Sequence, residues 1–383
     1  MLEGRGGRRG GKDTDAFVDG RRLNTVFVVQ GEGRGHMTQA LALAGFLRQA
    51  GHRLSRVLVG TSPFRSVPDY FARQIDAPLE TFDAPTQVPD RAGRGASFGS
   101  TLGDVFARSP AFVRSARLIR DATRDADVVV NFLDFMGGLA RVLPGPKRPS
   151  VAIAHNYLFL DPRLGPLPGP ALTRRLVMSY VRATAARTST RIALSFGPLE
   201  GEDPEGLVVV PPLLRSGLAD LTVTDAGHLL AYALNPGYGT LLAEWHARHP
   251  EVPVHCYLDG GAAALGLAPA EGFHVHALDG DAFLRHLASC RAYVGSAGFE
   301  SICEAFYLGK PVLAVPTEGH YEQVLNGWDA TRTGAARMGS YADLDAFWCD
   351  LPVPSAAAVG DFRSWVARAP QLIIEVIEQA AGG

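Results

Sequence analysis

The chain has 383 residues, of which 46% are hydrophobic and 20% are charged, and its formal net charge is −2. This length suits two ordinary domains, this composition is typical of a globular protein, and the near-neutral charge gives no electrostatic reason to bind nucleic acid. Four cysteines lie far apart without a CxxC pair (Cys256, Cys290, Cys303 and Cys349). We therefore predict neither a zinc site nor a disulfide framework, and we expect a cytoplasmic protein.

The first residues of the chain carry no recognisable export signal. Twin arginines, Arg8 and Arg9, are not followed by the apolar segment that such a signal requires. We predict that residues 1–23 form a disordered tail. No apolar run in the sequence approaches the length of a transmembrane span, although peripheral contact with a membrane stays compatible with it.

The first predicted strand runs into a glycine-rich loop (Gly31, Gly33 and Gly35) and then into a helix. This loop is similar to a dinucleotide-binding turn. However, His36 stands where that fingerprint has its third glycine, and the next strand ends at residues 59–60 without the acidic residue that would hold a ribose. We therefore predict no nicotinamide or flavin site.

His36 is predicted to lie in the first turn of this helix. It could be a polar residue that faces solvent. It could instead be a general base, because the positive end of the helix dipole disfavours imidazolium and keeps the ring able to accept a proton. The glycines before it would let a substrate approach the backbone closely.

Residues 63–108 are irregular and rich in proline and glycine, so we predict long loops there. Two buried strands follow, and each has polar residues at its carboxyl end: Asp134 after the first, and His155 after the second. In an open α/β sheet such ends meet in one crevice. Asp134 could orient His36, or it could cap the next helix.

Strands and helices alternate along the whole chain, which predicts an α/β protein with two parallel sheets. The predicted fold class is two Rossmann-like domains that face each other across a cleft. The predicted boundaries are an N-terminal domain at 24–212, a linker at 213–227, a C-terminal domain at 228–352, and a final helix within 353–383 that packs at the domain junction.

The stretch 293–326 contains a strand, a glycine turn, a helix that stops at Gly309, a second strand and a polar loop. The turn would place backbone N–H groups and a helix N-terminus where a phosphate could bind. We expect the turn at residues 235–239 to supply further N–H groups.

Two patterns could indicate a metal site, and we predict that neither binds metal. Asp279 and Asp281 have DxD spacing, but Asp281 is expected to cap a helix. His274 and His276 share one face of a strand, but no third ligand lies near them in the sequence.

The segment GSAGFESICEAFYLGKPVLAVP, followed by EGHYEQVLN, resembles the donor-binding signature of nucleotide-sugar-dependent glycosyltransferases of the GT-B fold. The most similar families are the UDP-glucuronosyl/glucosyltransferases and the lipid-linked GlcNAc transferase of peptidoglycan synthesis. The resemblance implies that Glu304 bonds the ribose, that Ser296, Gly298 and Ser301 hold the diphosphate, and that Glu322 and Gln323 bind the sugar. Ser296 replaces the histidine that often binds the diphosphate in the plant enzymes. On the donor side we also place Asn235, Gly237 and Leu278.

The N-terminal GEGRGHMTQALALA resembles the acceptor-side loop of the same families. The resemblance implies that His36 is the catalytic base and that Asp134 is its partner. It also places Gly33, Arg34, Gly35 and His155 on the acceptor side.

The resulting prediction is an inverting, metal-independent glycosyltransferase that needs no cofactor. It would move a sugar from a nucleoside-diphosphate sugar, with UDP expected as the nucleotide, to a hydroxyl of a natural product, lipid-linked sugar or glycan. Two alternatives stay open: a nucleotide-sugar 2-epimerase of the same fold, and a non-catalytic sensor of sugar nucleotides.

Overall fold

The computed structural model describes residues 21–32, 34–63, 66–85, 98–233, 235–266 and 270–382, with side chains from 98 to 107 left out. Its first sheet has seven parallel strands in the order β3-β2-β1-β4-β5-β6-β7. The strands are β1 Asn24–Val29, β2 Arg53–Thr61, β3 Leu79–Asp83, β4 Val128–Phe132, β5 Ser150–Ala154, β6 Thr190–Leu194 and β7 Leu207–Val210. The helices around it are α1 Arg34–Gln49, α2 Asp69–Gln74, α3 Phe98–Ala122, α4 Phe135–Val142 and α5 Ala171–Thr184.

The second sheet has six parallel strands in the order β10-β9-β8-β11-β12-β13. The strands are β8 Leu229–Ala233, β9 Val254–Leu258, β10 Phe273–His276, β11 Ala292–Gly295, β12 Val312–Ala314 and β13 Arg337–Met338. The helices are α6 Pro236–Arg248, α7 Gly261–Leu265, α8 Gly280–Ser289, α9 Phe299–Tyr307, α10 Tyr321–Arg332 and α11 Leu344–Cys349, followed by α12 Ala356–Val366 and α13 Ala369–Gly382. Two parallel sheets with helices confirm the predicted fold class.

The central strands are mostly apolar because helices cover both faces of each sheet. β4 and β5, for example, are buried at every position. Parallel pairing also brings the carboxyl ends of neighbouring strands to one edge of the sheet. The loops that leave those ends therefore hold the polar residues that the sequence singled out.

The structure corrects two predictions. Residues 63–108 are not all loop, because they contain α2, β3 and the beginning of α3. β3 has a partly polar sequence, LETFD, as an edge strand allows, and this weakened its apolar signal. The final helix is also two helices. Pro370 has no backbone N–H, and in a continuous helix its ring would clash with the carbonyl oxygen of Val366, so α12 ends at Val366 and the chain turns before α13.

The last two helices return to the first domain. Nε1 of Trp365 in α12 donates a hydrogen bond to the carbonyl oxygen of Ser195, 3.0 Å away. Nε2 of His52 lies 2.9 Å from Oε1 of Glu378 in α13, which packs against β4 to β7. These contacts join the C-terminal segment to the N-terminal sheet. Within the described ranges, no helix combines the length and apolarity needed to cross a membrane.

The contact between α4 and α5 depends on a residue without a side chain. A Cβ built on Gly138 would collide with the carbonyl oxygen of Ala183, a backbone atom that cannot move independently of α5. We therefore expect Gly138→Ala to lower the free energy of unfolding by about 1–3 kcal/mol in urea denaturation.

Gly360→Ala is the matched control, since Gly360 lies in a helix and has no atom near its Cβ position. It should leave stability unchanged or raise it by up to about 1 kcal/mol. Equal effects of the two substitutions would contradict the assigned contact.

Candidate active site

A cleft of about 1750 Å³ runs along α1 and between the two domains. From the first domain it is lined by the start of α1 and by the end of β5. From the second domain it is lined by the loops that follow β10 and β11 and by the first turns of α8, α9 and α10. Both sheets thus contribute loops at the carboxyl ends of their strands.

His36 lies in the first turn of α1 and is only 9% exposed, so it is not a solvent-facing residue. Its Nδ1 is 3.3 Å from Oε1 of Gln39, one helical turn along. Because an amide oxygen accepts hydrogen bonds, Nδ1 carries the proton and Nε2 carries the lone pair. The structure thus has the tautomer of His36 that can act as a base through Nε2.

Gln39 connects His36 to the other domain. Its amide nitrogen donates a hydrogen bond to Glu300, in the first turn of α9. The carboxylate of Glu300 lies where a Cβ on Gly35 would stand, so glycine at 35 permits this approach. Burial raises the pKa of Glu300 to about 7. The chain from His36 through Gln39 to Glu300 therefore crosses the cleft.

Among the charged groups of the second domain, Glu322 at the start of α10 has the largest effect on the pKa of His36. Burial lowers the pKa of His36 below its usual 6.5, and the Glu322 carboxylate opposes this shift. Burial between the cleft walls likewise raises the pKa of Glu322, opposed by His36 and by a hydrogen bond from Asn156. His36 is thus neutral at pH 7 and lies close to a residue of the opposite domain.

The first turn of α9 has the features of an anion site. Gly298 occupies the N-cap position, and no side chain of the described chain caps the helix. Ser296, Gly298 and Ser301, to which the resemblance assigns the diphosphate, all line the cleft. The backbone N–H of Gly298 donates to the carbonyl oxygen of Ser296, whereas the positive end of the helix dipole and the N–H groups of Phe299 and Ser301 could face a phosphate.

Glu304 also lines the cleft, and its carboxylate is held by an arginine from the segment between the sheets. Nε and a terminal nitrogen of Arg215 are each 2.6 Å from a different oxygen of Glu304. The same guanidinium donates to the carbonyl oxygen of Gly280, 3.0 Å away. This bidentate contact fixes the position of the Glu304 side chain in the cleft wall that the second domain forms.

Gln323 and Asn326 on α10 are positioned by backbone contacts. Oε1 of Gln323 accepts a hydrogen bond from the backbone nitrogen of Thr317 at 2.7 Å, which leaves its NH₂ group to donate elsewhere. The amide of Asn326 donates to the carbonyl oxygen of Ala297 at 3.0 Å. α10 is thereby fixed to the turn before α9.

Asp134 lies at the end of β4 but does not contact His36. Its carboxylate accepts a hydrogen bond from the backbone nitrogen of Gly137 at 2.7 Å and caps α4, which is the capping alternative. Leu133 before it has a φ of 53°, a left-handed conformation that costs about 1 kcal/mol. Burial raises the pKa of Asp134 to about 7.

His155 lines the cleft but is locked into the contact between the domains. Its Nδ1 donates to the carbonyl oxygen of Leu194 at 2.8 Å, and its ring stacks on Phe299 with centroids 3.9 Å apart. Its Nε2 faces Oδ2 of Asp329 at 3.6 Å. Burial lowers the pKa of His155.

The remaining predicted residues divide into three groups. Arg34, Gly35 and Leu278 line the cleft, whereas Asn235 and Gly237, at the start of α6, are not among its lining residues. Gly33 lies outside the described residues. Asp279, rather than Asp281, caps α8, since its carboxylate accepts from the backbone nitrogens of Asp281 and Ala282.

Sequence reasoning missed three residues of the cleft: Gln39, Arg215 and Glu300. The spacing of three between His36 and Gln39 places both on one face of a helix and could have indicated the pair. Arg215 and Glu300 carry no such signal, because their partners are distant in the sequence.

Part of the chain is similar in sequence to a known protein family. Residues 174–351 match the model of the family described as Glycosyl transferase family 1. No curated protein matches the sequence significantly.

Solved structures share the fold at low identity. Arabidopsis thaliana UGT89C1 is 13% identical, with a TM-score of 0.63 over 94% of this chain and 100% of that chain. The glycosyltransferase SnogD from Streptomyces nogalater is 18% identical, with a TM-score of 0.55 over 94% and 100%. MurG of Acinetobacter baumannii is 17% identical, with a TM-score of 0.51 over 93% and 99%. The family match over residues 174–351 and the shared fold support a glycosyltransferase built of two Rossmann-like domains.

Proposed function

We propose that the protein is an inverting, metal-independent glycosyltransferase that uses a nucleoside-diphosphate sugar, with UDP as the nucleotide. The observation that carries this proposal is His36. It is neutral, has a free Nε2 lone pair, and lies in the cleft opposite Glu322 and the start of α9. A base on one wall and an anion site on the other are the two parts that sugar transfer requires.

In this mechanism an acceptor hydroxyl enters from the side of the first domain. Nε2 of His36 takes its proton while the oxygen attacks the anomeric carbon and the bond to the diphosphate breaks. The developing imidazolium keeps its Nδ1 hydrogen bond to Gln39. A single displacement from the face opposite the leaving group inverts the anomeric centre.

The leaving diphosphate would bind at the first turn of α9. Backbone N–H groups of Phe299 and Ser301 and the helix dipole would stabilise its negative charge without a metal ion. Glu300 lies in this turn, and because its pKa is about 7, its carboxylate can take up a proton when an anion binds. Protonation of Glu300 would remove the repulsion between its carboxylate and the diphosphate.

The other donor contacts follow from the residues around that turn. The free NH₂ group of Gln323 and the carboxylate of Glu322 would bind sugar hydroxyls. Glu304, oriented by Arg215, would accept from the ribose hydroxyls. UDP is favoured because two structures of this fold are described as complexes with UDP and with UDP-L-rhamnose. The acceptor would be a natural product, a lipid-linked sugar or a glycan.

Nucleotide binding is the first test. In a thermal-shift panel, UDP and UDP-sugars should raise the melting temperature in proportion to the logarithm of ligand concentration, because ligands that bind only the folded state stabilise it. GDP and dTDP in the same panel test the base preference. If no nucleoside diphosphate or nucleotide sugar raises the melting temperature, the proposal is wrong.

Replacement of the base is the second test. His36→Asn should lower kcat by about 10²–10⁴-fold and leave the Kd for UDP within a few-fold. In the wild type, the acidic limb of the pH–rate profile should lie below pH 6.5, because the base acts above its pKa, which burial lowers.

His249→Asn is the matched control, since His249 pairs with Asp345 on the surface of the second domain. It should retain wild-type kcat. Full activity of His36→Asn would favour another base, and absence of turnover by a wild type that binds the nucleotide would favour a sugar-nucleotide sensor. Formation of a C2 epimer from the donor alone would favour the epimerase.

The partner of His36 is the third test. Gln39→Leu removes the acceptor for Nδ1, and we expect it to lower kcat about tenfold or more with little change in UDP affinity. Asp134→Asn tests the alternative partner; because Asp134 caps α4 rather than contacting His36, kcat should change less. A large loss only in Asp134→Asn would reverse the assignment.

A further inference from the structure

A cluster of five histidines lies on the second domain, apart from the proposed base. His255 is on β9, His274 and His276 are on β10, His286 is on α8, and His228 precedes β8. The register of β9 and β10 pairs His274 with His255 and His276 with Tyr257. Paired residues share a face of the sheet, so these side chains all point to the side that α8 covers.

Three of these imidazoles converge. Each of His255, His276 and His286 offers one ring nitrogen, and the three nitrogens lie within 4.8 Å of one another. Nδ1 of His255 is 2.9 Å from Nε2 of His276, and these two rings are stacked at 5°. The ring of His286 lies against that of His255, with centroids 4.1 Å apart.

This spacing is close to that of a metal site. Zinc binds imidazole nitrogens at about 2.0–2.1 Å, so two ligands at tetrahedral positions are about 3.3 Å apart. The gap between His255 and His276 needs to open by only a few tenths of an ångström. All three rings are partly exposed, so an ion could reach them from solvent.

The hydroxyl of Tyr257 is 2.8 Å from Nδ1 of His286. Such an outer contact orients metal-binding histidines.

We propose that His255, His276 and His286 bind a divalent transition-metal ion, with Zn²⁺ as the best match to three imidazoles and an open fourth position. The ion would join β9 and β10 to α8. Since Tyr257 lines the cleft and its hydroxyl contacts His286, the bound ion would also stabilise this wall of the cleft. No step of sugar transfer passes through it.

The test is metal binding by the tag-free protein after treatment with a chelator. Titration with Zn²⁺ should show one ion bound per chain and a rise in melting temperature. Co²⁺ should give the intense visible absorption of a tetrahedral site. In His276→Gln the affinity should fall by at least about tenfold, with circular dichroism unchanged.

His274→Gln is the matched control, because His274 stacks on His255 but is outside the three-residue group. It should bind Zn²⁺ as the wild type does. If His276→Gln does not fold, His286→Asn takes its place. Absence of binding to the wild type, or equal binding by the ligand variants, would show that the cluster is a hydrogen-bonded stack only.

The UDP shift is recorded on the same preparation. A protein that binds UDP but not Zn²⁺ would overturn the metal site alone, and the reverse result would overturn the proposed function alone.

Discussion

A buried hydrogen-bond chain from His36 through Gln39 to Glu300 joins the two domains at the point where both contribute to the cleft. Buried polar groups need partners, and the side-chain amide of Gln39 meets two of them at once, since its oxygen accepts from the imidazole while its nitrogen donates to the carboxylate. Gln39 therefore fixes the histidine tautomer. It also ties that tautomer to the position of the second domain.

The rest of the contact between the domains supports this arrangement. His155 stacks on Phe299, next to Glu300, and the hydroxyl of Tyr321, next to Glu322, donates to the carbonyl oxygen of Pro168. Each contact thus lies beside a charged residue of the cleft. A change in the angle between the domains would alter the surroundings of His36 and Glu322 together. Any change in the angle between the domains would therefore act on the chemistry of the site through these same few residues.

The electrostatics of the cleft follow from burial more than from ion pairs. His36, Glu300 and Glu322 have pKa values shifted toward their neutral forms, and burial is the largest cause for each. Glu304 differs, because Arg215 meets its carboxylate with two hydrogen bonds. The structure thus combines groups that burial shifts toward their neutral forms with one fixed ion pair. The first kind suits proton transfer and the second suits positioning.

The sequence by itself determined the fold class, since alternation of buried strands with helices depends on local apolar pattern and on glycine turns. It also located His36 and the turn before α9, because both stand at strand-to-helix junctions that a linear pattern reveals. It did not find β3, an edge strand with a weak apolar signal.

Only the tertiary structure decided which groups meet. Gln39 and Glu300 are 261 positions apart, and Arg215 and Glu304 are 89 apart. His255, His276 and His286 converge only when β9, β10 and α8 pack together. It also assigned Asp134 to the cap of α4. Such contacts depend on the register of a sheet and the approach of two domains, and neither is encoded in the spacing of residues along the chain.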